Sequence, residues 1–221
     1  MKTLSYQEFI EHFRAIWGIG EHVAIIGQTD SGKTYVAQDI KEMRRWVVVI
    51  ATKSKDETLD AYTGFTRKST WPPDYGETLI LFWNKQKTLL DLKSVQRSIY
   101  KVIDHLYRYG GWTIYFDDLF FVSETLKLKS AVRMFYTQVR SANVTIVASI
   151  QRPAWIPVES LSQSKYFIVF SIQDRKDVQR IAEAIGMNFF DLLKWINLLQ
   201  RYEFLLLARH QEPILVHAKG A

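Results

Sequence analysis

The sequence has no cysteine among its 221 residues, which excludes disulfide bonds and cysteine-based metal or redox chemistry. It has no apolar stretch near the ~20 residues that a membrane-spanning helix needs. Its first residues, MKTLSYQEFIEHF, mix acidic and apolar positions and lack the pattern of a secretory signal. Its five histidines show no metal-ligand spacing. These absences are compatible with a cytoplasmic protein and with no membrane span.

Apolar side chains, in contrast, are plentiful: 48% of the residues are hydrophobic and 14% are aromatic. That is enough for a large core, and the length suits one α/β domain. The net charge of +6 and the isoelectric point near 9.4 permit a polyanionic partner such as nucleic acid. A solvated basic surface would account for the same charge.

Helical and extended patterns alternate along the chain, beginning with a helix at 5 to 17 whose Ser5 and Glu8 form a capping box. Strands are predicted at 22 to 27, 46 to 52, 78 to 83, 112 to 116, 144 to 151 and 165 to 172. Helices are predicted at 33 to 45, 86 to 108, 125 to 141, 175 to 186 and 189 to 199. Residues 53 to 75 break the pattern, and 204 to 208 with 214 to 218 form a terminal hairpin.

This alternation predicts a three-layer α/β fold with a mostly parallel central sheet and a short C-terminal hairpin. We expect a single domain over residues 1 to 221. It divides into a leading helix (1 to 20), a core (21 to 187) and a C-terminal helix and hairpin (188 to 221).

A glycine-rich motif follows the first predicted long strand: residues 23 to 34 read VAIIGQTDSGKT. It matches G-x-x-x-x-G-K-[ST], in which glycines let successive backbone N–H groups point at the phosphates of a nucleoside triphosphate. Lys33 is expected to reach the β and γ phosphates, and the Thr34 hydroxyl to hold Mg²⁺. A purely structural turn would not require the strand before it and the helix after it. The predicted nucleotide-binding residues are Gly27, Gln28, Thr29, Asp30, Ser31, Gly32, Lys33 and Thr34.

Two carboxylates, Asp117 and Asp118, follow the predicted strand at 112 to 116. Parallel sheets bind ligands at the carboxyl ends of their strands, so this pair is expected near Thr34. Because successive residues point to opposite faces, we assign Asp117 to the Mg²⁺ shell, through water, and Asp118 to the attacking water. Gln151 ends another apolar strand, where its amide would bond the γ-phosphate or that water. The alternative is that all three are solvated or structural residues.

A resemblance to a known family rests on polar residues around that last strand, namely Arg140, Gln151 and Arg152-Pro153. The FtsK–HerA superfamily of DNA-pumping ATPases typically has an arginine eleven residues before a strand-terminal glutamine, then Arg-Pro. With the P-loop and the YFDD segment, the resemblance covers about residues 22 to 186. The family usually has Asp-Glu where this chain has Asp-Asp. The chain is similar in size to the compact viral genome-packaging ATPases of that superfamily.

The resemblance implies a single P-loop ATPase domain of the additional-strand, RecA-like P-loop NTPase type, with residues 21 to 187 as its nucleotide-binding core. It also implies ATP and Mg²⁺ as ligands, and a sheet in which the strand of Gln151 lies between the P-loop strand and the Asp117 strand. It also implies a homo-oligomeric ring, a pentamer or hexamer, in which Arg140 enters the neighbouring ATP site as an arginine finger. A cation that merely complements a helix end is the alternative for Arg140. Other candidates for the finger are Arg133, Arg152 and Arg175.

Double-stranded DNA and a capsid portal or vertex protein are the implied partners, in the host cytoplasm or on a virion vertex. Candidate DNA contacts are Lys53, Lys55, Arg67, Lys68, Lys85 and Lys87, which flank irregular segments. Each of them alone also fits a solvated surface charge. Trp71, before Pro72-Pro73, suits either a loop tip on the DNA channel or a packed turn, and we favour the turn.

The leading functional hypothesis is a ring-forming ATPase that translocates double-stranded DNA, as in viral genome packaging. Its main alternative is a nucleotide-dependent assembly or secretion ATPase that acts on protein. A small-molecule kinase would need an arginine-rich lid, which the sequence does not suggest. A non-hydrolysing nucleotide switch would not need the two carboxylates and the glutamine.

Overall fold

Strands and helices alternate along the chain in the computed structural model, which describes residues 2–52, 62–83 and 91–217. Its strands are β1 Lys2–Leu4, β2 His22–Ile26, β3 Val47–Ala51, β4 Thr66–Lys68, β5 Leu79–Trp83, β6 Thr113–Phe116, β7 Thr145–Ile150, β8 Ser164–Phe170, β9 Phe204–Ala208 and β10 Ile214–Val216. Its α-helices are α1 Tyr6–Ile16, α2 Lys33–Lys41, α3 Leu92–Tyr109, α4 Lys129–Gln138, α5 Val158–Ser162, α6 Arg175–Ile185 and α7 Phe189–Leu198.

The described strands form one sheet in the order β1-β10-β9-β8-β2-β7-β6-β3-β5-β4. Strand β9 runs antiparallel to both β8 and β10, and every other described pairing is parallel. The predicted mostly parallel sheet and C-terminal hairpin are therefore confirmed. Strand β7 lies between β2 and β6, which confirms the strand order that the family resemblance implies.

Helices cover both faces of the sheet. The central strands β2, β3 and β7 are therefore buried on both sides. Helices α1 and α2 pack on one face, where Phe9, Phe13 and Ile40 meet strand residues such as Val23. Helices α3, α4, α6 and α7 pack on the other face in a second, larger cluster. The fold is the predicted three-layer arrangement.

Two three-residue strands were not predicted from the sequence. Strand β1 pairs with β10 at the far end of the chain. Strand β4 lies within residues 53 to 75, where the sequence pattern breaks down, and it pairs with β5. Three residues are too few to show an alternating pattern in the sequence. Such strands form because a neighbouring strand pairs with them. The capping box of α1, by contrast, is local and is confirmed: the Ser5 hydroxyl accepts from the Glu8 N–H, and the Glu8 carboxylate accepts from the Ser5 N–H.

The helix predicted at 125 to 141 is wrong in its continuity. The structure has a π-helical turn at Phe121–Thr125, then α4, then a 3₁₀ turn at Val139–Ala142. Lys127, with φ of 56°, interrupts the helical path between the first two of these. The predicted start of the helix at 86 to 108 lies outside the described residues, and its end at Gly110 is confirmed.

Trp71 forms part of a packed turn, as favoured from the sequence. Its ring lies 6.2 Å from that of Phe82 and 5.5 Å from that of Trp112, in edge-to-face geometry. The turn thereby covers the end of the larger core cluster, so this aromatic residue has a structural explanation that requires no channel.

Candidate nucleotide-binding site

The parallel register brings the predicted site residues to one edge of the sheet. Ile26 of β2 pairs with Ile150 of β7, so the P-loop begins level with Gln151. A hydrogen bond from the Gly27 N–H to the Ile150 carbonyl, 3.1 Å long, continues that pairing by one step. Phe116 of β6 pairs with Ala148 of β7, so Asp117 is level with Ser149. Gly27, Asp117 and Gln151, which are far apart in the sequence, therefore come together because three strands end at the same edge.

The P-loop backbone needs its two motif glycines for different reasons. A Cβ atom on Gly27 would lie 2.6 Å from Ser31 Oγ and 2.8 Å from Phe170 Cβ, which leaves no room for a side chain. Gly32 has φ of 102°, a conformation that L-residues rarely adopt. The loop then turns directly into α2, so the N-terminus of this helix faces the same cleft.

The Lys33 ammonium folds back over the loop that precedes it. Its Nζ donates to the carbonyl oxygens of Gly27, at 2.8 Å, and of Gln28, at 2.5 Å. The side chain is almost buried. A desolvated cation at this position is well placed to exchange these carbonyls for phosphate oxygens, because a charged acceptor makes the stronger hydrogen bond.

The two carboxylates that follow β6 have different surroundings. Tyr115, buried against α2, donates from its hydroxyl to Asp117 Oδ1 at 3.4 Å and lies 2.6 Å from Ser149 Oγ. Asp117 therefore faces the α2 side of the sheet, as side-chain alternation predicts. The Asp118 carboxylate instead accepts the Phe121 N–H through Oδ1 at 3.0 Å, so it is oriented by the turn that follows it.

Most of the predicted P-loop residues, both carboxylates and Gln151 border one cleft of about 410 Å³. Nine of the predicted site residues line it, namely Thr29, Asp30, Ser31, Gly32, Lys33, Thr34, Asp117, Asp118 and Gln151. Gly27 and Gln28 lie just behind them, joined through the Lys33 bonds. The cleft thus combines backbone N–H groups, one lysine, two carboxylates and an amide, which suits a polyphosphate with a bound cation.

Four further residues line this cleft without having been predicted: Tyr35, Ser149, Arg201 and Tyr202. Tyr35 follows the motif directly and Ser149 precedes Gln151 by two, so strand alternation was a usable signal for Ser149. Arg201 and Tyr202 belong to the turn between α7 and β9. The antiparallel pairing of Phe204 with Phe170 carries that turn to the P-loop, and no local motif announces it.

The donor set fits Mg²⁺ held jointly with a nucleotide. Mg²⁺ prefers oxygen ligands and is commonly bound by one or two carboxylates together with phosphate oxygens. The Thr34 hydroxyl and the Asp117 carboxylate both line the cleft. Among the described residues, no group of three or more histidine, cysteine or acidic side chains could hold a metal alone. A Mg²⁺ ion held by Thr34 and Asp117 would take further ligands from phosphate oxygens or water.

Of the four predicted catalytic residues, Arg140 is the one that does not line this cleft. It lies in the 3₁₀ turn after α4, and a Cβ atom on Gly20 would be 3.4 Å from its Cγ. Gly20 lies just before β2, and the P-loop lies just after β2. Arg140, which is next to Gly20, is therefore at the edge of the sheet opposite the cleft, and its side chain is exposed. The five residues of β2 span about 16 Å, too far for Arg140 to serve its own P-loop.

The other candidates for an arginine finger have partners within the chain. The Arg152 guanidinium binds Asp174 at 2.6 Å and the buried Asp177 at 2.7 Å. Arg133 binds Glu159 at 2.8 Å. The Asp177 carboxylate also accepts from the Ala154 N–H, whereas Asp174 caps α6 by accepting the Lys176 N–H. Arg175 lies over the Phe189 ring.

Of the predicted DNA contacts, only two fall within the described residues. Lys53, Lys55, Lys85 and Lys87 lie outside them. Lys68 pairs with Asp74 at 2.6 Å and Glu77 at 3.0 Å, which offsets its charge and weakens the case for a phosphate contact. Arg67 is exposed on the edge strand β4.

The fold and the cleft together define a P-loop nucleoside triphosphatase of the α/β/α type. No family model matches the sequence. The chain is 19% identical over 177 residues to the DNA packaging ATPase P9 of Enterobacteria phage PRD1, a match that covers 79% of this chain and 74% of P9.

In the part of the chain that the structure describes, no helix has the length and apolarity to cross a membrane.

The genome packaging NTPase B204 of Sulfolobus turreted icosahedral virus 2, in complex with sulfate, superposes with a TM-score of 0.71 at 14% identity. The match covers 92% of this chain and 98% of B204. The type VII secretion ATPase EccC of Thermomonospora curvata gives 0.60 at 14% identity, over 91% of this chain and 25% of that one. The chain is thus similar to viral DNA packaging ATPases, and the resemblance inferred from its sequence is confirmed.

Proposed function

We propose that this chain is an ATPase that couples hydrolysis to movement of double-stranded DNA during viral genome packaging. The supporting observation is the cleft in which a P-loop, two carboxylates and a strand-terminal glutamine converge, on a fold shared over nearly its whole length with B204. B204 has also been solved in complex with AMPPCP and with ATP-gammaS, which supports a triphosphate as the ligand here.

In the proposed site the P-loop N–H groups and Lys33 would bind the phosphates, while Thr34 and, through water, Asp117 would hold Mg²⁺. When bound, Mg²⁺ would supply positive charge that offsets the charge developing on the transferred phosphoryl group. Tyr115 helps to position Asp117, because its buried hydroxyl donates to the Asp117 carboxylate and also contacts the Ser149 hydroxyl. Burial raises the pKa of Tyr115, so the hydroxyl stays protonated and can donate.

Asp118 and Gln151 are proposed to prepare the attacking water. The Phe121 N–H orients Asp118 through one oxygen, and the other oxygen is the one offered to water. Gln151 lines the same cleft from the neighbouring strand, within reach of the γ-phosphate or the water. A positioned base of this kind contributes roughly 10²- to 10⁴-fold in rate.

Arg140 is proposed to complete the site of a neighbouring subunit in a pentameric or hexameric ring. The supporting observation is that it is exposed at the sheet edge opposite its own cleft. A ring built from front-to-back contacts would bring one subunit's Arg140 edge to the next subunit's cleft. Double-stranded DNA, a portal or vertex protein, and a site of action in the host cytoplasm or at a virion vertex complete this proposal.

The decisive test is steady-state ATP hydrolysis by the full chain with and without long double-stranded DNA, beside Lys33→Ala. We expect DNA to stimulate hydrolysis severalfold and Lys33→Ala to abolish it under both conditions. Stimulation that falls steeply with added salt would support contacts to the phosphate backbone. Hydrolysis by the native chain that ignores DNA at every salt concentration would contradict DNA translocation.

The structural likeness to EccC supports a second candidate, an ATPase that acts on protein. It predicts hydrolysis that requires Lys33 but is indifferent to DNA. The same assay therefore separates the two functions, because they share the nucleotide site and differ only in the DNA response.

A further inference from the structure

A groove runs along helix α6, apart from the nucleotide cleft. It consists of two spaces, of about 430 and 370 Å³, and both are lined by Arg180 and Glu183. The first space is bordered by the turn at Pro153–Trp155 and by Phe189 of α7, and the second by α5 and the turn that follows β9. None of the described residues that line the groove also lines the nucleotide cleft. The groove is therefore a separate surface feature, which nucleotide hydrolysis does not explain.

The groove has an excess of positive charge. Four of its lining residues are cationic, namely Arg175, Lys176, Arg180 and Arg209. Glu183 is the one carboxylate among the described residues that line it. Arg209 donates to the main-chain carbonyl oxygens of Ser162 and Ala184. The other three cations have no ion pair with a carboxylate in the part of the chain that the structure describes. An acidic ligand would therefore find cations that are not already neutralised.

Arg180, at the centre of the groove, has an unsatisfied hydrogen-bond donor. Its Nε is buried and makes no hydrogen bond with any of the described residues. Glu159 of α5 does not satisfy it, because that carboxylate accepts from Arg133 Nε at 2.9 Å instead. A buried donor without an acceptor is unfavourable, and a planar guanidinium can donate to both oxygens of one carboxylate. A carboxylate that enters the groove would thus gain a strong partner at Arg180.

Apolar side chains lie between these charges. Ala154 and Phe189 line the first space, and Val158, Leu161 and Ile185 line the second. Two further apolar residues, next in sequence to lining residues, are unusually exposed: Trp155 is 52% and Phe190 is 69% exposed. A partner that fits such a surface brings apolar side chains as well as acidic groups. Duplex DNA presents mainly phosphates and sugars, so a protein segment matches the lining better.

The length of the groove suits a short helix. Helix α6 has 11 residues and is about 16 Å long. The groove extends from Arg175, the first residue of α6, to Gly186, just beyond its end. A helix of about three turns would span that distance, with its apolar face in the groove and its acidic side chains at the cations.

We propose that this groove is the docking site for an acidic amphipathic helix of a partner protein. The apolar face of that helix packs between Phe189 and the α5 side of the groove, while its carboxylates pair with Arg175, Lys176 and Arg180. The proposal concerns how the chain is recruited to a partner, and it depends neither on nucleotide hydrolysis nor on movement of DNA.

The test measures the binding of synthetic peptides to the full chain, without nucleotide or DNA, by fluorescence anisotropy. The probe is a labelled peptide of about 14 residues, with leucines on one helical face and glutamates elsewhere. One comparison peptide has lysine in place of glutamate, and the other has the same composition with its leucines spread around the helix. We expect the probe to bind at least about tenfold more tightly than either comparison peptide.

Substitutions in the groove should weaken the probe and leave the fold intact. Arg180→Gln and Lys176→Glu should each raise its dissociation constant about tenfold, the size of one lost charge-assisted hydrogen bond. Lys101→Glu makes the same charge change on an exposed residue of α3, outside the groove, and should bind the probe as the native chain does. Urea unfolding checks that each variant is folded. Lys176 is exposed, so its variant tests the proposal even where Arg180→Gln is unstable.

Three results would overturn the proposal. One is equal binding of the peptide with spread leucines, which would show that no apolar face is recognised. Another is an equal loss of probe affinity in Lys101→Glu, which would mean a general attraction to the basic chain. The third is a short DNA duplex that binds more tightly than the probe and loses affinity in the same groove variants, which would make the groove a nucleic-acid contact. A chain that binds the probe as expected but whose hydrolysis ignores DNA would contradict the proposed function and leave the docking site intact.

Discussion

The two edges of the parallel sheet differ in chemistry. At the carboxyl edge, the ends of β2, β6 and β7 surround an open cleft that presents Lys33 and backbone N–H groups beside two carboxylates. At the amino edge, where the same strands begin, His22 is buried. The exposed Arg140 lies close enough for its charge to act on the His22 ring. The carboxyl edge is suited to binding an anion, and the amino edge presents an exposed cation.

Under the proposed function, a single subunit would carry two halves of a catalytic site, one at each edge of the sheet. The strands hold these halves about 16 Å apart, and a side chain cannot bridge that length. Under the proposed function, assembly is what joins them, so the catalytic rate should depend on subunit contact even when nucleotide binding does not.

The largest expected effect is on Arg140. Arg140→Ala should lower the hydrolysis rate by about 10³- to 10⁵-fold, the contribution of an arginine finger, and leave the ATP dissociation constant unchanged. Mixing Arg140→Ala with Lys33→Ala subunits should restore part of the activity, because some contacts then join an intact P-loop to an intact arginine. The measurement is hydrolysis rate against mixing ratio, with each variant alone as its baseline.

Arg133→Ala provides the matched control, since it removes an exposed arginine of the same region that is paired with Glu159. It should hydrolyse ATP at the native rate. If the Arg140 and Lys33 variants never complement each other, although both assemble as the native chain does, the two edges do not meet in a shared site.

A smaller effect is expected at Asp118, within the carboxyl edge alone. Asp118→Asn keeps an oxygen to accept the Phe121 N–H, so the turn should persist, while the rate falls roughly 10²- to 10⁴-fold. Asp117→Asn should instead weaken Mg²⁺-dependent nucleotide binding. Single-turnover hydrolysis and ATP affinity distinguish the two. The opposite pattern would exchange the roles assigned to the two carboxylates.

The smallest effect concerns stability at the amino edge. Burial, with a contribution from the charge of Arg140, lowers the pKa of His22 to about 4, and its Nδ1 accepts the Ile146 N–H. An unfolded histidine titrates near 6.5, so between these values the unfolded chain binds more protons. The free energy of unfolding should therefore fall as the pH drops from about 6.5 to 4, by at most about 1.4 kcal/mol per pH unit.

Urea unfolding at pH 7 and pH 5 would measure this contribution. His22→Asn retains an acceptor for the Ile146 N–H but cannot titrate, so its stability should depend less on pH over that range. An unchanged pH dependence in the variant would show that other groups are responsible for the acid sensitivity.

Much of the carboxyl edge could be predicted from the sequence because its signals are local. The P-loop motif, the apolar strand before Asp117 and the strand ending at Gln151 each occupy a short run of residues. Ser149 was missed although alternation along β7 contains its signal. The helix predicted at 125 to 141 was wrong in its continuity, because the apolar spacing continues through the break at Lys127.

The sequence by itself determined the three-layer P-loop fold and which strand ends border the cleft, because hydrophobic periodicity and loop motifs depend on neighbours along the chain. Only the tertiary structure decided that Arg201 and Tyr202 border the nucleotide cleft and that Arg140 lies at the edge opposite it. Those positions depend on the pairing of β8 with β9 and on the direction in which β2 runs, which are contacts between segments far apart in sequence.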